Sequence, residues 1–67
     1  MNLKEIGLLI KQRRKELGLD QRNLARLSGV SIHSLSDLEV GKGNPTHERL
    51  SKIADVLGLE VCVRVKT

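Results

Sequence analysis

Ser31, His33, Ser34, Ser36 and Asp37 put an imidazole, three hydroxyls and a carboxylate within two helical turns. Such groups can exchange hydrogen bonds with a polar ligand, or in another arrangement run acid–base chemistry. The catalytic version fails on spacing. His33 and His47 have no Cys, Asp or Glu constellation at metal-ligand or triad distance along the chain. Gly41-Lys42-Gly43 follows a helical pattern rather than a strand, and lacks the spacing of a phosphate-cradling loop. Cys62 is the only cysteine, so neither an internal disulfide nor a cysteine zinc cage can form. The residues therefore predict a chain that is not an enzyme, with no cofactor, no metal and no evident small-molecule ligand.

The polar run needs a rigid carrier. Leu3, Ile6, Leu9, Ile10 and Leu17 recur at helical spacing and predict an amphipathic first helix of about 15 residues, stopped by Gly18. Lys11, Arg13, Arg14 and Lys15 fall in its last turns, where cations suit the negative end of the helix dipole. The same basic run reads as a solvated face or as long-range steering. Asp20 reads as the N-cap of a second helix, Gln21 to about Ser28, with Leu24, Ala25 and Leu27 turned inward. Gly29 ends it. Ser31 caps a third helix running to about Val40, whose apolar positions are Leu35 and Leu38. Gly41 to Pro45 is a loop by composition. Thr46 caps a fourth helix bearing Leu50, Ile53, Ala54 and Leu57, closed by Gly58. The period then changes to two. Val61, Val63 and Val65 alternate with Cys62, Arg64 and Lys66, the pattern of a strand.

The second and third helices, joined by a tight glycine turn, read as a helix-turn-helix. Ala25 is small where the two helices cross, Gly29 swings the chain, and Val30, Leu35 and Leu38 fill the wedge behind. What remains of the third helix is too polar for a core, and the helix is too short to stand alone. An exposed polar helix on a rigid wedge suits the major groove of DNA.

Composition points the same way. Twelve Lys and Arg against eight Asp and Glu give +4, with a pI near 9.7. That balance fits an anionic partner, nucleic acid first, or simply a soluble basic surface. With no Phe, Trp or Tyr the chain has no stacking platform, which disfavours single strands and RNA loops. Sixty-seven residues make one small domain. At about 1.5 kcal/mol of ordering entropy per residue such a chain nearly cancels its own core, so an idealised helical fold, an oligomer, or both are expected. No apolar run approaches the ~18 residues of a membrane span. Leu8 to Ile10 is too short for a secretory signal, and the lone cysteine fits a reducing cytoplasm.

The chain resembles the Cro/CI-type (XRE) helix-turn-helix proteins. The resemblance is carried by Ile6-Gly7, Arg13-Arg14-Lys15-Glu16-Leu17-Gly18-Leu19, Gln21 and Leu24-Ala25. It continues through Gly29-Val30-Ser31, Leu35-Ser36, Leu38-Glu39, Gly41-Lys42, Asn44-Pro45 and Ile53-Ala54 to Leu57-Gly58. It implies a mainly α, four-helix, lambda-repressor-like domain over residues 1–58, with the helix-turn-helix at about 21–40, and a bacterial or phage origin. It also implies roles. Gln21, with Arg22 beside it, falls where the family touches a DNA phosphate or props the first base contact. Ile32, His33, Ser34 and Asp37 fall where it reads base edges, and Ser31, Lys42 and Asn44 where it grips phosphates. For His33 the partner is a guanine or a phosphate oxygen, or else solvent. For Ile32 it is a thymine methyl or plain packing. Asp37 accepts from a cytosine amine, props the helix, or is merely exposed. Arg14 and Glu39 fit a structural, semi-buried ion pair. Val40, where a basic or polar residue is common, and Ser28, at a usually apolar wedge position, depart from the pattern.

The larger departure is the tail. Many family members continue into another helix with an aromatic anchor, whereas residues 59–67 read here as a strand. A single strand has unpaired edges, and two copies pairing antiparallel across a two-fold axis would satisfy them through Val61, Cys62, Val63, Arg64 and Val65. Such a homodimer presents two reading helices to a palindromic double-stranded operator, with half-sites about 34 Å apart. Cys62 then lies opposite the valines, as a reduced structural thiol or a redox-switchable intermolecular bridge. Gly58-Leu59-Glu60-Val61 and the alternation after it are similar to HipB-like antitoxins, which implies an autorepressed toxin–antitoxin operon and a toxin kinase as partner. A phage-type repressor, a restriction controller and a protein-interaction module without DNA are the alternatives.

Overall fold

The computed structural model describes residues 1–62 as four α-helices: α1 Leu3–Glu16, α2 Gln21–Ser28, α3 Ile32–Glu39 and α4 His47–Leu57. Each starts on a side-chain cap. Asn2 Oδ1 accepts from Glu5 N at 2.8 Å, Asp20 Oδ1 from Asn23 N at 2.7 Å, Ser31 Oγ from Ser34 N at 3.0 Å and Thr46 Oγ1 from Arg49 N at 3.1 Å. Every cap satisfies an N–H that has no partner within its helix. Thr46→Ala should cost about 1 kcal/mol in urea unfolding, and no change would show that α4 is held by packing alone.

Side chains from all four helices meet in one core. Ile10, Leu24, Ala25, Leu35, Leu38, Ile53 and Leu57 are buried together, with Leu3, Ile6, Leu19, Val30, Leu50, Val56 and Leu59 packed at its edge. α1 lies on α3, and α2 lies on both α3 and α4.

Three leucines differ from the sequence reading. Leu27 is 54% exposed, Leu17 44% and Leu9 40%. On α2 the buried stripe is Leu24, Ala25 and Ser28. At 100° per residue its centre lies roughly 100° away from Leu27. Ser28 takes the inward position instead, and its hydroxyl donates to Leu24 O at 2.6 Å, so the wedge carries no orphaned polar group. Leu17 follows the last turn of α1, outside the helical stripe.

The tail also differs. Leu59, expected to open a strand, donates its N–H to Ala54 O at 2.8 Å and so closes α4. Among the described residues there is no strand, and Val61 and Cys62 are exposed without regular structure. Val63, Arg64 and Val65 lie outside the described residues.

Candidate nucleic-acid interface

The turn between α2 and α3 is made at Gly29, with φ at +71°, a left-handed conformation that a side chain would strain. Val30 N then donates back to Ala25 O at 3.0 Å, which fixes where the next helix begins. Leu35 and Leu38 hold α3 from behind, 0% and 2% exposed. Its other face carries the expected reading groups. Ile32 and His33 are exposed, and Ser34 and Asp37 are half-buried.

These groups are already interacting. Ser31 Oγ donates to Ser34 Oγ at 2.9 Å, so the Ser31 hydroxyl proton is engaged in the free protein while Ser34 keeps its own. His33 Nε2 lies 3.4 Å from Asp37 Oδ2, one turn apart on the same face. The far end of α3 is tied to the loop after it, where Lys42 N donates to Asp37 O at 2.8 Å.

Lys42 and Asn44 meet Ser34, Asp37 and Arg49 around an open cleft of about 200 Å³ beside α3. Arg49 was absent from the sequence reading. It is the third residue of α4, the one whose N–H Thr46 caps, and the capped turn sets it on the same cleft as Lys42. Arg22 is exposed on the first turn of α2.

Behind this surface sits a buried charge cluster. Arg14 Nε donates to Glu39 Oε2 at 2.7 Å and Nη2 to Oε1 at 2.9 Å, while Nη1 donates to Leu19 O at 2.8 Å. The two side chains are 10% and 1% exposed. Glu39's hydrogen bonds raise the Arg14 pKa above its ordinary value, against burial, which lowers it; the charges of Glu39 and Asp20 add to the rise. The pair bolts α1 to the end of α3 with fork geometry that a lysine could not supply. Gln21 joins it, its Nε2 donating to Glu39 Oε1 at 3.1 Å. The family resemblance puts Gln21 where a DNA phosphate is touched or the first base contact is propped; its amide also makes this inward bond. With Glu39 matched by Arg14, Asp37 is the carboxylate that α3 turns outward.

Among the described residues no three His, Cys, Asp or Glu side chains gather as a metal site. None of the described helices is long and apolar enough to cross a membrane.

A family model described as Helix-turn-helix (HTH_3) matches residues 10–63. The chain is 42% identical over 60 residues to the "ImmF control region 10 kDa protein" of Bacillus phage phi105, covering 90% of this chain and 67% of that protein. It is 36% identical over 52 residues to the HTH-type transcriptional regulator DdrOP3 of Deinococcus deserti, covering 78% of this chain and 40% of that regulator's length. The crystal structure of the restriction-modification controller protein C.AhdI from Aeromonas hydrophila has a TM-score of 0.82 at 31% identity, covering 87% of this chain and 88% of that one.

Proposed function

The chain belongs to the XRE-type helix-turn-helix family, and from that premise we propose that it binds a specific double-stranded operator and represses transcription as a homodimer. The observation that carries this reading is α3 itself. Its inner face is locked into the core by Leu35 and Leu38, and its outer face offers Ile32, His33, Ser34 and Asp37 around a rigid turn. Base reading falls to those four side chains. Phosphate contact falls to Gln21 and Arg22 on the first turn of α2, to Ser31 at the cap of α3 and to Lys42 and Asn44 in the loop after α3, and the basic Arg49 extends that set.

Selection of duplexes from a random pool, followed by gel shift across salt concentrations, tests this. Affinity should fall steeply with salt, and each cation removed from a phosphate contact should flatten the log–log slope by roughly 0.9. Failure to retain any duplex at low salt would sink the proposal. His33→Ala should cost about 1–3 kcal/mol on the selected site and relax preference at one base pair. An equal loss on every sequence would instead place His33 on a phosphate.

The homodimer is supported by an apolar groove between α1, α4 and the tail. Ile6, Leu9, Leu50, Ala54, Leu59 and Val61 line its volume of about 360 Å³. No residue of α2 or α3 lines it, so a copy seated there leaves the reading surface free. Val61→Asp should weaken self-association at least about tenfold in sedimentation, roughly 1.4 kcal/mol. An unchanged dimer would remove the tail from the interface.

Three settings fit an autoregulatory repressor. Similarity to a phage control-region protein and to a restriction-modification controller favours a phage-type repressor or restriction controller. The HipB-like antitoxin reading, with a toxin kinase as partner, rests on residues 58–66. Co-expression with the product of the neighbouring reading frame separates these settings: relief of a growth-arresting kinase would establish the antitoxin role.

A further inference from the structure

We infer that Glu39 is a positioning residue for DNA contact: its carboxylate orients the carboxamide of Gln21 so that one side-chain N–H is held for a phosphodiester oxygen. This rests on the DNA-binding reading above. A carboxylate only accepts hydrogen bonds, so the amide nitrogen of Gln21, and not its carbonyl, must face Glu39. The observed contact has that sense, Nε2 to Oε1 at 3.1 Å. Glu39 cannot turn away, because the Arg14 fork holds both of its oxygens at 2.7 and 2.9 Å and its side chain is 1% exposed. Arg14 is held in turn by Leu19 O at 2.8 Å, in the loop that leads into α2. Orientation therefore passes from a buried ion pair to a half-buried amide at the first residue of α2.

Gln21 Nε2 carries two hydrogens. One is used on Glu39, and the second remains for a ligand, beside backbone N–H groups that the first turn of a helix leaves free. A phosphate oxygen accepts from such donors and a base amine does not. Without Glu39 the carboxamide turns over freely and half of its orientations present the carbonyl, which repels a phosphate. The ion pair thus acts on binding as well as on stability.

The test is a double-mutant cycle on a selected duplex of about 30 base pairs, long enough for two half-sites one turn apart. Gln21→Met, Glu39→Gln and the double variant are compared at a temperature where circular dichroism shows each fully folded. Gln21→Met should lose about threefold to tenfold in affinity with its salt slope unchanged, because a neutral donor releases no counterion. Glu39→Gln should lose a similar factor, and the double variant no more than either single one. Equal losses from Glu39→Gln with and without Gln21 would overturn the inference and assign Glu39 a structural role only.

Should Glu39→Gln fail to fold, a methylphosphonate scan of the duplex replaces it. The wild-type protein should lose affinity at one phosphate in each half-site to which Gln21→Met is indifferent; identical scans overturn the inference. A wild-type protein that selects no duplex overturns the DNA-binding reading together with it. A wild-type protein that binds, with an additive cycle, overturns the inference alone.

Discussion

Glu39→Ala should destabilise the domain by about 3–5 kcal/mol, because it leaves the Arg14 guanidinium buried without its partner. A domain of 67 residues has roughly 3–10 kcal/mol of total stability, so the variant should lose about a third of that or more. Urea titration followed by helical circular dichroism measures this directly. Arg14→Ala should behave alike from the other side of the pair. Arg14→Met combined with Glu39→Leu should be less harmful than either alanine variant, since no charge is then stranded. A loss below about 1 kcal/mol for Glu39→Ala would mean that water reaches the freed guanidinium. The pH dependence has a definite sign. A pKa raised on folding gives stability that is complete below the unfolded value and lost as pH climbs through the folded one. Arg14 is raised above an already high value, so it should contribute no loss between about pH 7 and 10.

The second large effect is expected at Gly7. Alanine in a helix interior ordinarily stabilises by up to about 1 kcal/mol relative to glycine. At Gly7 the sign should reverse. A Cβ there would run into the backbone carbonyl oxygen of Leu38 and lie 3.1 Å from the carbonyl carbon and oxygen of Glu39. Those atoms belong to the backbone of α3, so the strain must be relieved by moving one helix off the other. Gly7→Ala should cost about 1–3 kcal/mol, and Gly7→Val more. The thermal midpoint should drop by about 4–8 °C for each kcal/mol lost. The same shift would pull Arg14, two turns along α1, away from Glu39. An unchanged or higher midpoint would show that α1 and α3 have slack between them.

What could be read from the residues alone follows the range of each interaction. Asp20, Ser31 and Thr46 were legible as caps because a cap acts across three residues. Gly18, Gly29 and Gly58 were legible as helix ends because the left-handed turn is local. The polar face of α3 stood out because Leu35 and Leu38 mark the side that faces the core. Effects set by the neighbouring helix were less visible. Leu27 is exposed where an inward position is expected, because a two-turn helix has too few residues for its apolar stripe to be unambiguous, while Ser28 is buried at the wedge position that the family pattern gives it. Gly7 could be quoted as part of a family pattern, but its reason is the carbonyl of Leu38, which lies 31 positions away. Gln21 could be assigned to the interface, while its bond to Glu39 needed three helices in place. Arg49 lines the cleft beside α3 only because the first turn of α4 closes one side of it. Leu59 closes α4 rather than opening a strand, because an apolar residue after a glycine serves a helix end as well as a strand start.

Arg13 Nε donates to Leu57 O at 2.9 Å, across 44 positions of the chain. The Arg14–Glu39 bonds span 25 positions and Gln21–Glu39 spans 18, whereas every other side-chain hydrogen bond among the described residues spans five or fewer. Closing a longer loop costs more entropy, so these contacts form after the capped turns they join. A chain with so local a wiring should collapse to its native topology in microseconds to milliseconds. Arg13→Ala should then leave the refolding rate nearly untouched and speed unfolding, the kinetic mark of a clasp fastened last.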